Sequence, residues 1–372
     1  MTGSDLETSP PSSPPDPIRR DERLPPETFQ LPVAKMRSGY YSDKYFVRAR
    51  EVLMADGHNP SVTMQVFQKN DAWVVGTDEA IAILKLCLTE GFTWDDLEVR
   101  SLRDGERIRP WETVMEITGP YAAFSHLETL FVGVLGRRTR IATRTREVVE
   151  AAWPKPIMFF PARHDHWMVQ TGDGWAAHVA GAIGVSTDAQ ASWWGSEGMG
   201  TVPHALIAAY HGDTVAATRA FADHMPEGVN VISLVDFEND SVGTSLAVAR
   251  ALGSRLYGVR LDTSEKMVDR ALFGDMGDFD PRGVNPRLVE KVRAALDREG
   301  FHEVKIICSG GFDAEKIREF ETEGIPVDSY GVGSALVRGS YDYTADVVRV
   351  EGEACAKAGR WYRASRRLAP VP

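Results

Sequence analysis

The chain has 372 residues, 43% hydrophobic and 26% charged, enough for about two domains with sizeable cores. A formal net charge of −11 argues against a general nucleic-acid binder, so an anionic substrate needs a locally basic pocket. Cys87, Cys308 and Cys355 form no Cys-x-x-Cys motif and no even disulfide framework; with no signal-peptide pattern and no apolar run of membrane-spanning length, a reduced cytoplasmic setting is expected.

Residues 1–30 are rich in Pro, Ser, Asp and Glu, have almost nothing to bury, and read as a disordered tail. Order is expected from about Leu31, and Tyr40-Tyr41-Ser42-Asp43-Lys44-Tyr45-Phe46 opens a helix to about Ala55. From Ser61 to Arg109 apolar residues alternate at Val62, Met64 and Val66, then at Trp73-Val74-Val75, Leu97 and Val99, as half-buried strands require. A helix at 80–89 lies among them, and Val114-Met115-Glu116-Ile117 is a further strand. Residues 31–150 therefore read as an α+β domain on a small, mostly antiparallel sheet. Its last tract, 121–153, is helical and carries Arg137-Arg138-Thr139-Arg140, Arg144 and Arg146, either a solvated face or the coat of an anion pocket.

From Pro156 the pattern changes. Short apolar runs at 157–160, 229–235, 256–261, 304–308 and 329–332 alternate with helical stretches at 175–183, 214–224, 242–252 and 287–298. That alternation implies parallel strands joined by crossover helices, an α/β domain over 151–340. A Gly- and Asp-rich insertion at 264–285 reads as a mobile loop over a site. Residues 341–372, with Lys357, Arg360, Arg363, Arg366 and Arg367, are expected to pack back on the first domain.

The strand ends carry the chemistry. Ser309-Gly310-Gly311 and Gly331-Val332-Gly333 each end an apolar run and lead into a helical pattern. Glycine lets backbone N–H groups approach an anion, and a helix N-terminus adds unpaired donors. Two such successive turns suit a phosphate at the top of a (β/α) barrel, against the simpler reading of ordinary βα turns. Two other strands end in Asp236 and Asp262, which suit ribose hydroxyls or Mg²⁺, or else cap helices. Arg260 lies inside its strand and calls for a partner: Asp236, Asp262 or a substrate carboxylate. His204 follows a glycine-rich loop and reads either as a structural residue or as a nucleophile or acid/base. Arg163 suits a carboxylate fork and Phe160 a stacking face; the His164-Asp165-His166 run is a weak metal signal, and no protein metal site is assigned.

In combination, Ser42-Asp43-Lys44-Tyr45, Arg163 after Phe160, Gly200-Thr201-Val202-Pro203-His204, Val259-Arg260-Leu261-Asp262-Thr263 and the two glycine turns resemble the type II phosphoribosyltransferases, nicotinate phosphoribosyltransferase above all. The resemblance spans about Tyr40 to Arg367. It implies an irregular, incomplete α/β barrel with an N-terminal α+β domain, and head-to-tail homodimers, or larger rings of them, with sites at the subunit interface. It implies transfer of phosphoribosyl from phosphoribosyl pyrophosphate to nicotinate in NAD salvage, with Mg²⁺ and with ATP as co-substrate. Tyr45 of a neighbouring subunit and Phe160 would sandwich the pyridine ring, and Arg163 and Arg260 would neutralise carboxylate and pyrophosphate. Asp236 and Asp262 would address ribose and Mg²⁺-pyrophosphate, while Ser309, Gly310, Gly311, Gly331 and Gly333 would hold the 5-phosphate. His204 would be phosphorylated by ATP.

Two departures bear on detail. Thr263-Ser264 stand where relatives often have Ser-Gly, and Asp188 matches the segment where nicotinamide-using relatives carry an aspartate, or else caps a helix. Nicotinamide is therefore the rival acceptor. Quinolinate fits less well, because its two carboxylates want a denser basic cluster at the strand ends. A barrel isomerase or aldolase would want a strand-end Lys or Glu, and a non-catalytic nucleotide sensor would need neither His204 nor paired Asp236 and Asp262.

Overall fold

The computed structural model describes residues 13–20, 22–275, 277 and 279–372. Five strands come first: β1 (Ser61–Gln68), β2 (Ala72–Val74), β3 (Glu98–Ser101), β4 (Glu106–Ile108) and β5 (Thr113–Pro120). Six short ones follow: β6 (Ile157–Phe159), β7 (Gly184–Val185), β8 (Ile232–Leu234), β9 (Gly258–Leu261), β10 (Lys305–Cys308) and β11 (Ser329–Val332). The last three are β12 (Tyr343–Val350), β13 (Glu353–Ala354) and β14 (Ala369–Pro370). The chain forms two compact units, one of Asp16–Arg146, Thr171–Gly181 and Arg338–Pro372, the other built on Glu147–Gln170 and Ala182–Val337.

The first unit holds an antiparallel sheet in the order β13-β12-β1-β5-β3-β14 and a small β2-β4 ladder. Val62, Met64 and Val66 of β1 enter its core, as the alternation predicts. The polar face of β1 is buried too: Gln65 Nε2 donates to Glu116 Oε2 at 2.8 Å and to the Arg363 carbonyl, and its Oε1 accepts from the Arg363 amide. The C-terminal segment thus covers a face that period-two patterning assigns to water.

Two expectations for this unit are corrected. Order begins before Leu31, because Arg23 Nη1 and the Leu24 amide both donate to the Asp78 carboxylate, at 2.7 and 2.9 Å, and Leu24 and Phe29 are buried. One buried carboxylate anchors a segment that composition reads as tail; residues 1–12 and Asp21 of that tail lie outside the described residues. Arg137 and Arg138 of the basic run are neither a solvated face nor an anion coat. Arg138 is buried between Glu79 and Asp173, at 2.9 and 2.8 Å, and Arg137 meets Asp173 at 2.7 Å. Arg146 lies over the Trp73 ring. Arg137 and Arg138 spend their charge on the protein's own carboxylates.

The second unit holds six parallel strands in the order β7-β6-β11-β10-β9-β8. Met158, Ile232 and Ile307, on β6, β8 and β10, share one apolar cluster with Phe160. Those strands stand second, sixth and fourth across the sheet, so the sheet curls to bring them together. Its edges β7 and β8 do not pair with each other. The loop before His204 reaches each of them, with the Met199 amide on the Val185 carbonyl at 2.7 Å and the Val202 amide on the Ile232 carbonyl at 3.1 Å. Crossover helices cover the strands as their sequences dictate. In Pro286–Arg298, Asn285 caps the N-terminus by accepting from the Leu288 amide, Pro286 sits at the first turn, and Leu288, Val289, Val292, Ala295 and Leu296 are buried.

The 264–285 insertion is anchored rather than loose over most of its length. Leu272 and Val284 are fully buried, and the buried Asp269 accepts from the Ser241 amide and hydroxyl at 2.9 and 2.7 Å. Among the described residues no helix is long and apolar enough to cross a membrane.

Candidate active site

The C-terminal ends of the parallel strands bring most of the sequence-predicted residues together. Asp236 lies just beyond β8, and His204 opens the helix His204–Ala209. His204 Nε2 lies 3.0 and 3.1 Å from the two Asp236 oxygens. An ionised carboxylate only accepts, so Nε2–H donates, and the neutral imidazole then has its lone pair on Nδ1. The imidazole is 46% exposed and the Asp236 side chain 9%, so the pair is buried at its base and open at its tip. Burial pushes the Asp236 carboxyl above its ordinary value, against the opposing pull of His204.

Asp262 follows β9 and faces the next turn. Ser309 Oγ donates to Asp262 Oδ1 at 2.8 Å, and the Ser309 amide donates to the Leu261 carbonyl. Gly310 and Gly311 have φ of +81° and +77°, left-handed backbone that glycine adopts without strain. Arg260 approaches Asp262 only at 3.8 Å, and its buried Nε has no hydrogen-bond partner among the described residues. Burial pulls its pKa down, Asp262 and Asp236 push it up, and Arg163 pulls it down again, so Arg163 is within electrostatic reach. A buried guanidinium whose Nε lacks a partner favours an anionic ligand.

The second glycine turn is a matter of close approach. A Cβ on Gly331 would stand 2.6 Å from the Phe160 ring, and one on Gly333 would stand 2.9 Å from the His164 ring. Phe160 is held there by its amide on the Val332 carbonyl at 2.8 Å.

Three sequence expectations change here. Asp188 does not cap its helix: Thr187 is the cap, and Asp188 Oδ1 accepts from the Gly198 amide at 2.8 Å. The helix after Ser309-Gly310-Gly311 offers fewer open donors than expected, because Asp313 caps it by accepting from the Glu315 and Lys316 amides. The second turn leads only into the 3₁₀ turn Ser334–Val337. Tyr45, 63% exposed on the helix Lys44–Asp56, belongs to the other compact unit.

Sequence reasoning passed over Glu265 and His164 as site residues. Glu265 follows Asp262 by three positions in the same strand-end loop, and its carboxylate lies against Gly311. No group of three or more His, Cys, Asp or Glu side chains arranged to hold a metal is found among the described residues.

Known proteins place this arrangement. The family model "Quinolinate phosphoribosyl transferase, N-terminal domain" matches residues 43–139. Nicotinate phosphoribosyltransferase pncB1 of Mycobacterium tuberculosis is 29% identical over 344 residues, 84% of this chain and 71% of that protein. The crystal structure of nicotinate-nucleotide pyrophosphorylase from Pyrococcus furiosus superposes with a TM-score of 0.78 at 31% identity, covering 92% of this chain and 86% of that one. Human nicotinic acid phosphoribosyltransferase shares the fold, with a TM-score of 0.64 at 16% identity over 84% of this chain and 75% of its own. The chain belongs to the type II phosphoribosyltransferase family of nicotinate and quinolinate enzymes.

Proposed function

We propose that the protein transfers phosphoribosyl from phosphoribosyl pyrophosphate to nicotinate, forming nicotinate mononucleotide and pyrophosphate in NAD salvage, within an irregular α/β barrel. The observation that carries this reading is the gathering of Asp236, Asp262, Ser309, Gly331 and Phe160 at the C-terminal ends of one curled parallel sheet. Ribosyl transfer with pyrophosphate leaving passes through an oxocarbenium-like state, so positioning and charge stabilisation do the catalysis and no protein nucleophile is needed at the sugar. Asp262 accepts from ribose hydroxyls, the two glycine turns receive the 5-phosphate, and Arg260 and Arg163 take pyrophosphate and the acceptor's carboxylate. Phe160 stacks on the pyridine ring, with Tyr45 of a neighbouring subunit on its other face in a homodimer.

His204 is the site of phosphorylation by ATP. Its Nδ1 lone pair is free to attack the γ-phosphorus while ADP leaves, and Asp236 stabilises the imidazolium that forms. The donor set fits Mg²⁺: Asp236 and Asp262 offer hard oxygen ligands, to be shared with substrate phosphates, and the ion would neutralise charge on the departing pyrophosphate. The Gly198 amide on Asp188 Oδ1 supports nicotinate over nicotinamide, since it occupies an oxygen that would otherwise accept from a nicotinamide amide. Quinolinate is the second reading, favoured by the family model matched over residues 43–139.

The test offers nicotinate, nicotinamide and quinolinate separately to the protein with phosphoribosyl pyrophosphate, Mg²⁺ and ATP, and identifies the mononucleotide by mass. Nicotinate mononucleotide, made faster with ATP, is the expected product. Carbon dioxide release from quinolinate would replace the reading with the second one, and no product from any acceptor would leave a nucleotide sensor.

A further inference from the structure

The Ser309-Gly310-Gly311 turn carries a carboxylate of the protein directly against Gly311. A Cβ on Gly311 would lie 1.8 Å from Glu265 Oε1, 2.5 Å from its Cδ and 2.8 Å from its Cγ, so the acid group rests directly on the glycine. Among the described residues no hydrogen bond from the protein holds that carboxylate. Its backbone is fixed instead: a Cβ on Gly283 would lie 3.2 Å from the Glu265 Cα, and the Gly283 amide donates to the Met267 carbonyl at 2.8 Å across the neck of the insertion. A cation that feels this carboxylate is Lys316, whose ammonium lies 4.5 Å from the centre of the Phe312 ring and whose pKa burial pulls down while Glu265 pushes it up. Asp262 Oδ1 stands 3.1 Å from the corresponding point on Gly310. Two carboxylates therefore border a turn that must receive a dianion. Asp262 is tied down by Ser309, whereas Glu265 is exposed and carries its carboxylate on a longer side chain.

We propose that Glu265 is a displaceable plug of the phosphate cradle: it covers Gly311 until a phosphate arrives, then swings out towards solvent. The inference rests on the phosphate reading of this turn. A phosphate and an ionised carboxylate cannot share the same few ångströms, so binding includes the cost of expelling Glu265, and apparent affinity is reduced by the fraction of molecules with the plug in place. Expulsion costs little in hydrogen bonds, because the described residues make none to the carboxylate. The plug therefore tunes affinity and does not block the site.

Inorganic phosphate is the probe, titrated by calorimetry into the full chain, wild type beside Glu265→Gln and Glu265→Asp. Gln keeps the size and removes the charge; Asp keeps the charge and withdraws it from Gly311. The dissociation constant is expected to fall about 3- to 10-fold in both variants. Wild-type affinity in both variants, with the wild type binding phosphate, would overturn the plug while leaving the cradle. A fall with Gln alone would reduce Glu265 to a general surface charge and overturn it as well. Absence of binding by all three proteins would remove the phosphate reading of the turn and the plug with it.

Discussion

At the scale of single residues the decisive contact is His204 on Asp236. The bond fixes which nitrogen of the neutral imidazole carries the proton and, on the proposed phosphohistidine role, which nitrogen would attack ATP. His204→Ala is expected to abolish ATP hydrolysis while leaving some phosphoribosyl transfer at saturating phosphoribosyl pyrophosphate; unchanged ATP hydrolysis would remove the phosphohistidine role. Asp236→Asn tests the partner. Its amide oxygen can still accept from Nε2–H, so the tautomer survives, but the charge that stabilises the imidazolium is gone. ATP hydrolysis is expected to drop about 10²-fold, with the fold unchanged by circular dichroism. The residue types at the strand ends were legible from sequence because each stands at the close of an apolar run. Glu265 was not, since nothing in the pattern says that a loop carboxylate folds back onto a glycine.

At the scale of elements, local signals read well wherever one element buries one face. The stretch 214–224 is helical over the predicted residues, and Pro286–Arg298 starts one residue early because Asn285 and Pro286 form its cap and first turn. β7 went unseen, since a two-residue strand has no period. The basic run misled for a different reason: sequence shows the arginines but not the acids that come to meet them. Those acids are Glu79, on the helix Thr77–Cys87, and Asp173, on the helix Gln170–Val179. Packing there depends on a glycine. A Cβ on Gly172 would fall 2.0 Å from Arg138 Cζ, so Gly172→Ala drives the guanidinium off Asp173 in a site too buried to rehydrate it. A loss of about 1–3 kcal/mol is expected from urea unfolding. A fully stable Gly172→Ala protein would show that the helix shifts freely.

At the scale of the whole molecule, a chain of net charge −11 holds several carboxylates that ionise reluctantly, and these set how stability responds to pH. Glu128 opens the helix Glu128–Ala152, and burial, then Asp346, then Asp43, push its carboxyl up to about 8 from 4.5. The folded protein therefore holds a proton that the unfolded chain has already released across that interval. Stability from this group is fully present below about 4.5 and is lost as pH rises to about 8, by at most about 1.4 kcal/mol per unit. Asp104, raised to about 6 by burial and by Asp78, acts in the same direction at lower pH, while buried His126, lowered to about 4, acts in the opposite one. A wild-type profile mixes all three, so the informative quantity is a difference. Glu128→Gln replaces the protonated acid with a neutral group of equal size, and should match the wild type near pH 5. By pH 9 its melting temperature should exceed the wild type's by several degrees, since only the wild type must then carry a buried negative charge beside Asp43 and Asp346. A constant offset between the two proteins from pH 5 to pH 9 would mean that Glu128 ionises normally, with water reaching it at the helix terminus.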